Sequence, residues 1–135
     1  MKNSVMLTIT SLLLVLFLTF HLAHDIVRGF EPGGLSNLVG GVLITVVLVF
    51  GILVLAERRS GYIIMLLGSL LGTLMPMAHM RGVGLVGGRM VNSSGRFFFV
   101  WTLMALGVTA LFSVILSLRG LWSLRRAGQR SSDQR

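Results

Sequence analysis

Four stretches of this sequence, residues 3–24, 32–56, 60–80 and 97–118, contain no Asp, Glu, Lys or Arg. Together they make up 90 of the 135 residues. Each matches the roughly 20 apolar residues an α-helix needs to cross the hydrocarbon core of a bilayer. Composition agrees. Charged residues are only 12% of the chain and hydrophobic residues 54%, and the mean hydropathy is +0.89. A soluble domain of this size needs about twice that share of charge to cover its surface. A soluble enzyme domain and a disordered chain are therefore excluded. The absence of cysteine also removes disulfides, thiol redox relays, thiolate metal sites and covalent c-type haem.

The expected fold is all-α: a four-transmembrane-helix bundle with spans near 5–25, 35–56, 61–79 and 97–118, forming one membrane domain over 1–124. A basic polar tail over 125–135 completes the chain. The 57–60 connection is short enough to require an antiparallel helix pair. Span one is not expected to be a cleaved signal peptide, because its apolar run is long and no small-x-small site follows Phe20. An even number of spans puts both ends of the chain on one side. Lys2, Arg58, Arg59, Arg119, Arg125, Arg126, Arg130 and Arg135 share that side, against Arg28, Arg81, Arg89 and Arg96 on the other. Eight basic residues against four predict cytoplasmic termini by the positive-inside rule and suggest a bacterial cytoplasmic membrane. The net charge of +8 flanks apolar spans, so its counter-charge is expected to be anionic lipid and not nucleic acid. Trp122 is expected at the interface, with Arg125 and Arg126 reaching headgroups. Beyond Gly128 the composition predicts disorder.

In lipid, helices associate through close backbone approach and interhelical hydrogen bonds. Gly61, Met65, Gly68, Gly72, Met75 and His79 recur at helical spacing on span three, and Gly61, Gly68 and Gly72 are the expected packing positions. Span four carries Thr102, Ala105, Thr109, Ser113 and Ser117 on one stripe. Span one carries Thr10, Leu14, Phe17, His21, His24 and Arg28. Pro76 is expected to kink span three or break it shortly before the following loop.

The chemistry gathers at one level. Counted from the cytoplasmic side at 1.5 Å per residue, His21, His24 and His79 all lie roughly 24–29 Å along their helices. Imidazoles suit iron, zinc and copper, and the thioethers of Met75, Met77 and Met80 favour Cu(I). Two histidines from different helices could also ligate haem. Asp25, with Arg28 beside it, could orient a ligating imidazole from behind. The default expectation is that these histidines only make hydrogen bonds between helices and bind no cofactor, with haem or copper binding as the alternative. Arg28 could pair with Asp25 and Glu31. The Gly82–Gly87 segment spells G-x-G-x-x-G, but no strand precedes it and no acidic residue follows at the required distance, so dinucleotide binding is not expected. Asn92-Ser93-Ser94 spells a glycosylation sequon.

In length alone the chain is similar to small multidrug-resistance transporters and dual-topology fluoride channels. The transporters' buried glutamate in span one has no counterpart here, and the charge bias argues against dual topology. No catalytic constellation is legible. The leading expectation is a structural or accessory subunit, not an enzyme, packed against other membrane chains or its own copies. The alternatives are a haem- or copper-binding redox protein using the three histidines, and a small transporter or channel.

Overall fold

The computed structural model describes residues 2–28, 34–81 and 95–132, apart from the side chains of Arg28, Gly34, Met80, Arg81 and Ser131. The expectations for Glu31, the glycine-rich loop and the sequon lie outside the described residues.

The chain forms four helices: α1 (Asn3–Arg28), α2 (Gly34–Leu53), α3 (Arg59–Arg81) and α4 (Arg96–Ser132). All four are long and apolar enough to cross a membrane. The all-α, four-helix expectation is met, and among the described residues there is no strand. The α2–α3 connection is a tight reversal. Val54 and Leu55 donate to the Phe50 carbonyl, Arg58 donates to Leu55, and Glu57 turns the chain with φ 63°. That left-handed conformation is uncommon for a residue with a side chain.

Two ends differ from expectation. α3 does not break before its loop, but runs through Pro76 to Arg81. The proline lies late in the helix, where it removes a single backbone hydrogen bond. α4 does not stop near Leu118 or fray beyond Gly128. It continues to Ser132, because the Arg-, Leu- and Ala-containing tail holds good helix formers and no proline.

The interior lies between α1, α3 and α4, with α2 on the outside. A central cluster joins Leu14 and Leu18 of α1, Leu48 and Ile52 of α2, Met65 of α3, and Leu106 and Ala110 of α4. Small residues make the close approach possible. A side chain at Gly72 would meet Ala110 and Leu14, one at Gly107 would meet the Pro76 ring, one at Gly68 would meet Leu48, and one at Gly120 would meet Tyr62. These contacts set an antiparallel register of α3 on α4 that places Ser69 opposite Ser113. Ser11, Ser69, Ser113 and Ser117 are fully buried.

The contacts yield a stability prediction. At Gly107 a Cβ would lie 2.7 Å from Pro76 Cγ, part of a rigid ring. Gly107→Val should cost about 1–3 kcal/mol through overpacking. A Cβ at Gly128 meets nothing within 4 Å, so Gly128→Ala should be neutral or gain up to about 1 kcal/mol of helix propensity. Unfolding by SDS in mixed micelles measures both.

Candidate metal centre at one end of the bundle

α1 brings His21 and Asp25 together one turn apart, and α3 supplies His79 across the interface. The His21 and His79 rings meet edge to face with centroids 4.8 Å apart. The convergence expected from helix depth is present. Asp25 lies between two imidazoles, with Oδ2 3.5 Å from His21 Nε2 and Oδ1 3.6 Å from His24 Nδ1. These separations are longer than good hydrogen bonds. Asp25 is 2% exposed and His21 3%. Asp25 Oδ1 and His21 Nδ1 make no hydrogen bond. An ionised carboxylate at that depth needs a cation beside it.

Phe99 of α4 forms the apolar side of the site. Its ring centroid lies 5.5 Å from His21, 5.6 Å from His24 and 5.8 Å from His79, so all three histidines gather round one buried ring. Phe99 in turn packs with Leu103 and Met75.

His79 Nδ1 lies 2.9 Å from the Met75 carbonyl one turn below. A carbonyl only accepts, so Nδ1 carries a proton, and Nε2 is the position left for a ligand when the ring holds that one proton. A histidine that ligates a metal is held this way, with its second nitrogen bonded to a fixed acceptor.

One ligand atom each from His21, Asp25 and His79 can be chosen so that all lie within 4.8 Å of one another. Some point therefore lies within about 2.8 Å of all three atoms, against roughly 2.0–2.2 Å for zinc bonds to nitrogen and carboxylate oxygen. Binding an ion would draw these atoms inward by up to about 0.8 Å.

The other expected residues are placed as follows. Met75 borders the site through Phe99, whereas Met77 is half exposed on the outer surface of α3. The Met80 and Arg28 side chains lie outside the described residues. Gly61, Gly68 and Gly72 pack inside the chain, on the Leu55 carbonyl, Leu48 and Ala110. At the opposite end of the bundle the Arg126 guanidinium lies 4.4 Å over the Trp122 ring, and Arg125 joins Arg59 around a recess floored by Ile63, Leu121 and Leu124. The inward face of α1 is offset from the expected one. It runs through Leu7, Ser11, Leu14, Leu18, His21 and Asp25, with Thr10, Phe17 and His24 at its edge. Sequence reasoning missed Phe99, which nothing in Phe97-Phe98-Phe99 distinguishes from its neighbours. It also missed Ser11, which shares the spacing of Leu14 and Leu18.

Neither family models, nor curated proteins, nor solved structures yield a match to this chain.

Phe99→Ala should cost about 3 kcal/mol or more by opening a cavity against three imidazoles. Phe98→Ala, at a half-exposed position, should cost far less. Thermal unfolding in detergent separates the two.

Proposed function

We propose that this chain is a four-span integral membrane protein that binds one divalent first-row transition metal between His21, Asp25 and His79. The observation that carries this is a buried carboxylate and two imidazoles on two helices, one imidazole already oriented by the Met75 carbonyl. Two histidines and one carboxylate with open positions suit Fe(II) or Zn(II). A cation there would neutralise Asp25 and engage the polar atoms that make no hydrogen bond. With three protein ligands, the remaining positions are open to water or a small ligand, which is the arrangement of catalytic sites more than of structural ones.

Geometry weighs against the haem alternative. Two axial imidazoles need an iron and a porphyrin plane between them, with nitrogens roughly 4 Å apart across it at bond lengths near 2 Å. The edge-to-face approach of His21 and His79 leaves no slot for that plane. The soft-ligand copper alternative weakens because Met77 faces outward. Support for an accessory subunit weakens too, because Gly61, Gly68 and Gly72 of the small-residue stripe are engaged within the chain.

On the charge bias, the chain sits in a bacterial cytoplasmic membrane with both termini inside, which puts the metal site at the outer interface. Alkaline phosphatase fused after Arg89 should be active and after Arg58 inactive. The opposite pattern would place the site on the cytoplasmic side.

Metal binding is tested on purified protein stripped with chelator and dialysed against Zn(II) or Co(II), with metal counted by mass spectrometry. A single bound ion is expected. His21→Ala, Asp25→Asn and His79→Ala should each weaken binding at least about tenfold, equivalent to 1.4 kcal/mol. Met77→Ala should leave it unchanged. Equal binding by all four variants, or none by the parent protein, contradicts the assignment.

A further inference from the structure

A second site lies beside the first. α1, α2 and α3 enclose a groove of about 510 Å³ whose floor includes Leu14, Leu18 and Leu106. Along α2 its lining runs from Ser36 and Asn37 to Leu48. Twelve residues of helix make about 18 Å, close to the depth of one leaflet in a hydrocarbon core about 30 Å thick. With the orientation proposed above, the polar end is the outward one. Gly41 sits against Leu22, next to His21, so Ser36 lies more than a turn beyond His21 toward the end of the bundle. Below Asn37 the walls are apolar.

The groove opens sideways. Ile44, Leu71 and Leu74 line it yet are 50%, 61% and 55% exposed, so the gap between α2 and α3 faces the acyl chains of the bilayer. The length of the groove, its single polar end and its opening toward the bilayer match one extended phospholipid chain. Gly40 keeps the space open, because nothing lies within 4 Å of where its Cβ would be.

We infer that this groove seats one acyl chain of an outer-leaflet phospholipid, its headgroup beside Ser36 and Asn37 and its chain end at Leu48. The wall at Met75 and Ala78 is shared with the helix turn that carries His79, so the seated lipid lies next to the histidine cluster. The inference uses no property of the metal, and its test runs in chelator, so its failure and that of the metal assignment are distinguishable.

The test reconstitutes the full chain into phosphatidylcholine vesicles doped with phosphatidylcholine carrying a diazirine midway along one acyl chain. After irradiation, labelled residues are mapped by peptide mass spectrometry. Ile44, Leu71 and Leu74 should be labelled at least about tenfold more than Val46, Val47 and Leu67, a preference equivalent to about 1.4 kcal/mol. Gly40→Phe, whose Cβ meets nothing within 4 Å, places a ring in the groove and should abolish that preference while leaving thermal stability intact. Val42→Phe, on the lipid-facing side of α2, should preserve it. Even labelling of all lipid-facing residues overturns the inference. So does groove labelling that survives Gly40→Phe, or a groove shielded from lipid by cross-linkable contact with a second copy.

Discussion

A carboxyl group cannot face acyl chains, and that prohibition orients the bundle. Asp25 stands on a helix that is otherwise apolar for more than five turns. Ionised side chains in such a segment turn toward the protein interior and toward a partner. Turning Asp25 inward brings His21 with it, one turn earlier, then Leu18, Leu14 and Ser11 along the same face. The rotation of α1, the choice of its core residues and the meeting with His79 thus follow from one side chain. His79 arrives from α3 with its Nδ1 held by the Met75 carbonyl, so that side of the site is oriented by its own helix.

What holds those helices at the necessary distance is the lack of side chains. Hydrophobicity does not draw apolar helices together in lipid, so packing contacts and buried polar groups must. Gly72 against Ala110, Gly107 against Pro76 and Gly120 against Tyr62 bring α3 and α4 into close contact along their length. Ser11, Ser69 and Ser113, on three helices, are fully buried in the interior, and their hydroxyls make no hydrogen bond. α2 is packed differently. It touches the core through Leu48 and Ile52 and leaves a groove above them, because Gly40 offers nothing to fill it.

The helices were legible in the sequence because charge in hydrocarbon is costly, and a soluble chain does not go 20 residues without charge four times over. The convergence of His21 and His79 was legible from rise per residue alone. The outer limit of α4 was not, because beyond Arg119 the chain leaves the apolar region and local propensity decides where the helix ends. Proximity in sequence groups Met77 with Met75, yet two residues along a helix is more than half a turn, and the two side chains point apart. The one-residue offset of the α1 face comes from weighting Thr10, His24 and Arg28 together. Burial of Asp25 selects Ser11 and Leu18 instead, while Leu14 and His21 belong to both faces. Phe99 could not be picked from three adjacent phenylalanines without knowing how α4 rotates.

The state of His79 inside the bundle decides whether the metal centre is real. Nitrogen-15 magnetic resonance of histidine-labelled protein in bilayers reads it directly, with a His79→Gln variant for assignment. His79 should be protonated at Nδ1 with a bare Nε2, and zinc should shift that Nε2 together with one nitrogen of His21. A proton on Nε2, or zinc that shifts neither ring, would contradict the assignment.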